Sequence, residues 1–173
     1  MPTIYLAAGC FWGVQAVFNQ LEDVLETKSG YCAGHKEFPS YEEVCKKTTG
    51  HTEAVKVVFN AEKISINKIL DLFFFIHNPE QIDGQGNDIG PQYRSGIYIN
   101  PDSKIFENQI QSYIENLKQK RPGLTTEYKI IDQFFDAEEY HQNYLNKNPF
   151  GYCHINMISV NTFLKDSKYN IKT

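Results

Sequence analysis

Long apolar runs are missing from this 173-residue sequence. The longest, LFFFI at residues 72–76, is far shorter than the ~20 residues that a membrane-spanning helix requires. The first residues also lack the basic stretch and apolar segment that form a signal peptide. We therefore expect a cytoplasmic protein that does not associate with a membrane.

Concentrated positive charge is absent as well. The 17 lysines and arginines are outnumbered by 21 acidic residues, the formal net charge is −4, and the basic residues form no long stripe. This distribution argues against a nucleic acid partner. The sequence contains no internal repeat, low-complexity tract or linker, so we expect one domain that spans residues 1–173.

Cysteine is scarce, and its positions suit neither a zinc site nor a disulfide framework. In a cytoplasmic chain, Cys10, Cys32, Cys45 and Cys153 are expected to be catalytic, redox-active or simply buried. No C-x-x-C or H-x-x-x-H spacing indicates zinc. The glycines of residues 84–86 lack the third glycine and the following helix of a dinucleotide-binding motif. We expect no metal and no bound cofactor.

Cys10 is the most informative residue that is present. The segment before it, residues 4–8, is apolar on both alternating faces, and the apolar residues after it recur at helical spacing. Cys10 is therefore predicted at a strand-to-helix turn. There, free N–H groups and the helix dipole lower the pKa of a thiol from its ordinary value of roughly 8.5. On position alone, a small unreactive buried cysteine is an equally good interpretation.

Glu53 is the second candidate. Residues 53–59 alternate, so that Glu53, Val55, Val57 and Phe59 share the more apolar face of a predicted strand. Apolar surroundings raise the pKa of a carboxyl group, which then keeps a proton to donate near neutrality. A glutamate that begins the strand in solvent is the more common outcome.

Tyrosines and a further cysteine lie in turn-rich segments. Tyr41, Tyr93 and Tyr152 each combine an apolar ring with a hydroxyl donor, which suits the orientation of a polar oxygen. Taken singly, each such tyrosine more often serves packing. Cys153 follows Tyr152 in a segment without periodicity, and a mobile cysteine there could reach Cys10.

Periodicity predicts alternating strands and helices. After the strand at 53–59, the predicted elements are a helix capped by Ser65, a long loop over 81–91, a strand over 94–99, a helix from Asn100-Pro101 to Pro122-Gly123, a strand over 127–134, a short helix with an Asp136–Glu139 capping box, and a loop from 148 onward. The order is β-α-β-β-α-β and then α-β-α. We expect an α+β two-layer sandwich: a mixed β-sheet with a ferredoxin-like β-α-β-β-α-β core, C-terminal helices and a long loop-rich tail.

Several short motifs, in this order and spacing, resemble the peptide methionine sulfoxide reductase A family. They are GCFWG (9–13), GYCAGH (30–35), YEEVC (41–45), TGHTEAV (49–55), GND (86–88), QYRS (92–95), EYHQ (139–142) and GYC (151–153). Each piece alone is modest evidence, but together they run from about residue 3 to residue 155. The resemblance implies an oxidoreductase that reduces the S epimer of methionine sulfoxide, peptide-bound or free, in protein repair under oxidative stress.

The resemblance assigns the chemistry to three residues. By position, Cys10 is the nucleophile, Glu53 is the acid that protonates the sulfoxide oxygen, and Cys153 is the resolving cysteine. The implied cycle forms a sulfenic acid on Cys10 and then a Cys10–Cys153 disulfide that thioredoxin reduces. It implies no metal or flavin, and we expect a monomer whose partners are oxidised proteins and thioredoxin.

The resemblance also implies a substrate site. Tyr41 and Tyr93 correspond to hydroxyls that hold the sulfoxide oxygen, Asp88 to a polar residue that orders the site, and Phe11 and Trp12 to walls around the substrate methyl group. A sulfoxide is polar at oxygen and apolar at its methyl group, so hydroxyl donors on one side and aromatic rings on the other suit it.

Two departures and two alternatives remain. Cys32-Ala33 replaces the more usual Ala-Gly pair, and the tail after Cys153 lacks the glycine-rich stretch and third redox cysteine of some members. A cysteine hydrolase or acyltransferase would pair Cys10 with His51 or His141, but the sequence marks neither a third orienting group nor an oxyanion site. A non-catalytic binding domain would carry an inert Cys10.

Overall fold

The computed structural model describes residues 1–173, which form eight strands and six α-helices. The strands are β1 (Thr3–Ala8), β2 (Val24–Cys32), β3 (Thr52–Phe59), β4 (Gly84–Gln85), β5 (Asp88–Ile89), β6 (Ser95–Ile99), β7 (Glu127–Ile130) and β8 (Phe134–Asp136). The helices are α1 (Phe11–Asn19), α2 (Tyr41–Cys45), α3 (Ile66–Phe75), α4 (Glu107–Lys120), α5 (Tyr144–Lys147) and α6 (Met157–Asp166). Short 3-10 helices cover Pro91–Tyr93, Pro101–Phe106 and Glu139–His141.

Six strands form one mixed sheet in the order β7-β6-β1-β3-β2-β8. All neighbouring pairs are antiparallel except β6 and β7, which are parallel. The two short strands β4 and β5 form a separate hairpin. The predicted α+β class with a mixed sheet is confirmed. No helix combines the length and apolarity that a bilayer crossing requires.

The helices pack on one face of the sheet. Alternate residues of β1, Ile4, Leu6 and Ala8, join a core of 32 buried residues that includes side chains from α1, α3, α4 and α6. The intervening residues Tyr5 and Ala7 point to the other face, where six buried residues form a smaller cluster without helices. This period-two division is what a strand buried on both faces requires.

The sheet is strongly curled, and its curvature explains the second cluster. Its edge strands β7 and β8 are separated by five strand spacings, which is about 24 Å in a flat sheet. The chain passes from Ile130 to Phe134, and four residues span at most roughly 14 Å. The sheet must therefore bend so that Tyr5 and Phe134, whose ring centroids are 4.9 Å apart, fill its concave side.

The pairing of the two edge strands shows that two predictions are wrong. Residues 127–134 are not one strand, because Glu127–Ile130 pairs with β6 at one edge and Phe134–Asp136 pairs with β2 at the other. The Asp136–Glu139 capping box is also wrong, since Asp136 lies in β8 opposite Gly30. Glu138 occupies the N-cap of the following 3-10 helix and makes no side-chain cap bond.

Two of the predicted helix starts are confirmed. The prediction of loop from residue 148 onward is wrong in part, because that segment contains α6. The side chains of Ser65 and Asn100 accept hydrogen bonds from backbone N–H groups three residues ahead. Asn156 does the same for α6, which the prediction of loop from residue 148 onward missed. Val160 and Leu164, one turn apart, are buried against the core, and this packing stabilises the helix.

Candidate active site

Cys10 lies at the junction that the sequence predicts. It is the N-cap residue of α1, directly after β1, and it is buried with 8% of its surface exposed. Gly9 before it has a φ of 89°, and a Cβ there would lie 2.9 Å from the side chains of Gln85 and His154. A glycine therefore makes the turn possible and lets two other segments approach the nucleophile.

The predicted low pKa of Cys10 is wrong. Burial, followed by the charge of Glu53, raises the pKa of the thiol well above its ordinary value, while the Trp12 backbone N–H opposes the rise. Asp88 and Cys153 add to it. A helix start alone favours a thiolate, but here the loss of water, to which nearby carboxyl groups add, outweighs one N–H group, so Cys10 rests as a thiol.

Glu53 is buried on the helix-covered face, with 1% of its surface exposed. The backbone N–H of Phe11 donates to its Oε1 over 3.2 Å. Burial raises the pKa of Glu53 to about 8 despite this bond, and the charge of Asp88 adds to the rise. The solvent-exposed alternative is therefore wrong, and the carboxyl group keeps its proton at neutral pH. With Glu53 protonated, burial is the main cause that keeps the Cys10 thiol un-ionised.

Tyr41 and Tyr93 approach Glu53 from two different segments. Tyr41 is the first residue of α2, and Tyr93 ends the 3-10 helix Pro91–Tyr93. Burial raises the pKa of both hydroxyls well above the ordinary range. A side-chain hydrogen bond with Cys45 adds to the rise for Tyr41, and the charge of Glu53 adds to it for both. Both therefore remain neutral donors near the carboxyl group. The helix α2 itself was missed, although its Ser40-x-x-Glu43 capping box is a recognisable signal.

Trp12 is held by two residues that sequence reasoning did not single out as substrate-site residues. Its ring stacks on Tyr144 with 3.7 Å between centroids, and its Nε1 donates to Nδ1 of His141 over 3.0 Å. The His141 ring lies 5.1 Å from that of Phe11 and 4.5 Å from that of Tyr41. Burial lowers the pKa of His141, so it is a neutral acceptor within an aromatic wall. Its other ring nitrogen, Nε2, is buried without a hydrogen-bond partner.

Two hydrogen bonds hold the loop that carries Cys153 next to Cys10. Tyr152 Oη donates to Asp88 Oδ2 over 2.8 Å, and His154 Nε2 lies 2.8 Å from the carbonyl oxygen of Ala8. A Cβ on Gly13, in the first turn of α1, would lie 2.9 Å from Cys153 Sγ. The structure thus brings Cys153 onto the first turn of the helix that Cys10 caps. Asp88 belongs to the β4–β5 hairpin, within a segment predicted only as loop.

Of the other two cysteines, Cys32 lies away from the site and Cys45 borders it. Cys32 is fully buried in the cluster on the concave side of the sheet, away from the helices. Cys45 ends α2, and its pKa is raised by burial and by the nearby Glu53 and Glu138. All four cysteines are free, and no group of three or more His, Cys, Asp or Glu side chains is arranged to hold a metal ion.

The hydrolase alternative is not favoured. His51 uses both ring nitrogens on backbone groups, Nδ1 with the N–H of Gly34 and Nε2 with the carbonyl of Lys36. His141 has its Nδ1 occupied by Trp12. A second thiol beside the first has no use in acyl transfer, whereas it is the partner that a sulfenic acid needs to form a disulfide. The site is that of a thiol-dependent oxidoreductase.

Comparison with known proteins gives the family. A family model described as peptide methionine sulfoxide reductase matches residues 2–172. The peptide methionine sulfoxide reductase MsrA of Alkaliphilus metalliredigens is 47% identical over 157 residues, which cover 91% of this chain and 99% of the relative. That of Pasteurella multocida is 47% identical over 162 residues, covering 92% and 90%.

Solved structures agree. Mxr1 of Saccharomyces cerevisiae in reduced form has a TM-score of 0.79 and 36% identity, covering 87% of each chain. Methionine sulfoxide reductase A of Corynebacterium diphtheriae has a TM-score of 0.81 and 34% identity, covering 88% of this chain and 77% of that one. The chain belongs to the peptide methionine sulfoxide reductase family. It is an oxidoreductase that uses thiols to reduce methionine sulfoxide, so the predicted family and enzyme class are confirmed.

Proposed function

We propose that this protein reduces the S epimer of methionine sulfoxide, peptide-bound or free, with Cys10 as nucleophile, Glu53 as general acid and Cys153 as resolving thiol. The observation that carries the proposal is the buried Glu53 carboxyl, with a pKa of about 8, hydrogen-bonded to the residue that follows Cys10. A carboxyl group that is protonated at neutral pH is what the sulfoxide oxygen requires.

Binding would use both sides of the substrate. The sulfoxide oxygen accepts from the hydroxyls of Tyr41 and Tyr93, whose raised pKa values keep them as donors. The methyl group packs against Phe11 and Trp12. Asp88 acts indirectly: it accepts a hydrogen bond from Tyr152, and its charge raises the pKa of Glu53.

The first step needs no reactant besides the enzyme and the sulfoxide. The sulfur of Cys10 attacks the sulfoxide sulfur while Glu53 gives its proton to the oxygen, the oxygen passes to Cys10, and methionine leaves. Because Cys10 starts as a thiol, its proton replaces the one that Glu53 gave. The net change is thiol plus sulfoxide to sulfenic acid plus thioether.

The second step uses Cys153. Its thiol attacks the Cys10 sulfenic acid, a Cys10–Cys153 disulfide forms, and water leaves. The packing of Cys153 Sγ against Gly13 supports this assignment. The disulfide would then be reduced by the dithiol of thioredoxin. In support, a solved structure shows Mxr1 of Saccharomyces cerevisiae in complex with Trx2. That chain is 25% identical with a TM-score of 0.56, and the match covers 82% of this chain and 83% of that one.

We also propose that strands β6-β1-β3-β2, with α1 and α3, form a ferredoxin-like core, a proposal supported by their order in the sheet. The proposed reaction involves no metal or bound cofactor. The single domain over residues 1–173, the monomeric state, the repair role and the cytoplasmic location stay predictions.

The test is turnover of each methionine sulfoxide epimer separately, with dithiothreitol as reductant. We expect reduction of the S epimer only, and none by the Cys10→Ser variant. Comparable turnover of the R epimer would contradict the proposed stereochemistry, and activity in Cys10→Ser would move the nucleophile elsewhere.

A further inference from the structure

Glu138 joins two segments of the site through one carboxylate. Tyr31 Oη, in β2, donates to Glu138 Oε1 over 2.9 Å, and the backbone N–H of Tyr41, at the start of α2, donates to Oε2 over 2.9 Å. Burial works to raise the pKa of Glu138, but these bonds more than offset it, so the pKa lies below its ordinary value. The carboxylate is therefore ionised and accepts both bonds throughout the neutral range.

The N–H of Tyr41 is one of the donors that a helix start leaves without a partner. The capping box of α2 satisfies the N–H groups of Ser40 and Glu43, and Glu138 satisfies that of Tyr41 from a distant part of the chain. Glu138 therefore adds a long-range hydrogen bond to the first turn of α2, which carries the Tyr41 side chain.

Both partners of Glu138 border the reacting groups. The ring of Tyr31 lies 5.7 Å from that of Phe11, whose N–H holds Glu53. The ring of Tyr41 lies 4.5 Å from that of His141, whose backbone N–H donates to the Glu138 carbonyl over 3.0 Å. The Glu138 side chain itself thus accepts hydrogen bonds from Tyr31 and Tyr41.

We propose that Glu138 is a positioning residue that holds the Tyr41 hydroxyl where it can donate to the sulfoxide oxygen. This inference rests on the role proposed above for Tyr41. It assigns to Glu138 a function through Tyr41, with no contact to substrate.

The substitution Glu138→Gln tests this with little change of shape. The amide keeps one acceptor oxygen, but its NH₂ group faces a donor, so either Tyr31 Oη or the Tyr41 N–H loses its partner. The neighbouring Glu139→Gln is the matched control, because Glu139 is exposed and its side chain makes no hydrogen bond. Where Glu138→Gln does not fold, Glu138→Asp, which withdraws the carboxylate by one methylene group, takes its place.

The readout is a double-mutant cycle with Tyr41→Phe, measured as the single-turnover rate on a peptide with one methionine-S-sulfoxide, together with each protein's melting temperature. We expect Tyr41→Phe and Glu138→Gln each to slow the reaction at least fivefold, with Glu139→Gln within twofold of wild type. In the Tyr41→Phe background, Glu138→Gln should cost less than twofold, since the hydroxyl that it positions is gone.

Three results would overturn the inference. The two losses could multiply, which would mean that Glu138 acts independently of the Tyr41 hydroxyl. Glu138→Gln could slow the reaction while Tyr41→Phe does not, or Glu138→Gln could have no effect. Failure of the proposed function would look different, because wild type itself would then leave the S-sulfoxide peptide unreduced.

Discussion

The N–H of Phe11 and the carboxyl group of Glu53 are 3.2 Å apart and share a hydrogen bond, so the residue after the nucleophile holds the proposed acid. This bond favours the ionised carboxyl group, yet burial prevails and the pKa of Glu53 is about 8. The helix start thus orients Glu53 without removing its proton. Cys10 and Glu53 are neighbours because β1 and β3 pair directly, with Leu6 opposite Val55.

Replacement of Glu53 by glutamine should remove the proton donor and keep the fold. The amide oxygen can still accept from Phe11, so the geometry is retained. We expect the single-turnover rate on methionine sulfoxide to fall by roughly 10²–10⁴-fold with little change in substrate affinity. Glu115→Gln, on the exposed face of α4, is the control and should leave the rate unchanged. A loss smaller than tenfold would reject the general-acid role.

The same substitution should change how stability depends on pH. Glu53 has a folded pKa of about 8 against an ordinary 4.5, so between these values the unfolded chain releases a proton that the folded protein keeps. Stability that derives from this group is therefore present below pH 4.5 and declines as pH rises toward 8.

Glu53→Gln lacks this penalty, so its free energy of unfolding relative to wild type should rise by a few kcal/mol between about pH 5 and 8. Urea unfolding of both proteins across that range measures the difference. Other titrating groups are common to both proteins and cancel. A difference that is flat with pH would mean that the carboxyl group is not buried as described.

Local features could be predicted from the sequence, and long-range ones could not. Residues close in sequence determine the strand-to-helix turn at Cys10 and the caps at Ser65 and Asn100, so these features can be predicted. Glu138 meets Tyr31 and Tyr41 across separations of 107 and 97 residues, which no periodicity records. The break in the strand at 131–133 follows from the curvature of the sheet. The raised pKa of Cys10 follows from burial and from carboxyl groups that only the fold brings near it.

Loss of Cys153 should separate the two halves of the catalytic cycle. Cys153→Ser should form the Cys10 sulfenic acid normally, because that step needs no second thiol. Its turnover should then stop with thioredoxin and continue with dithiothreitol, a small thiol that can reach Cys10. A coupled thioredoxin assay and a dithiothreitol assay on the same protein measure both.

Cys32→Ser is the matched control for that experiment. Cys32 is fully buried on the concave face of the sheet, so this variant should retain both activities. Thioredoxin-linked turnover that survives in Cys153→Ser and disappears in the double variant would transfer the resolving role at least partly to Cys32.

Gly13→Ala should slow the resolving step alone. A methyl group at this position would lie 2.9 Å from Cys153 Sγ and 3.1 Å from the Ile155 side chain, so the resolving thiol must move. Alanine favours a helix by about 1 kcal/mol over glycine, so α1 itself should not suffer. We expect the first turnover to stay within twofold of wild type while disulfide formation slows about tenfold, equivalent to roughly 1.4 kcal/mol in the barrier. A dimedone trap would then capture more Cys10 sulfenic acid than in wild type.

Ala16→Gly, which makes the opposite exchange elsewhere in α1, controls for helix propensity and should leave the resolving rate unchanged. If Gly13→Ala forms the disulfide as fast as wild type, the packing of Cys153 on the first turn of α1 does not govern its attack.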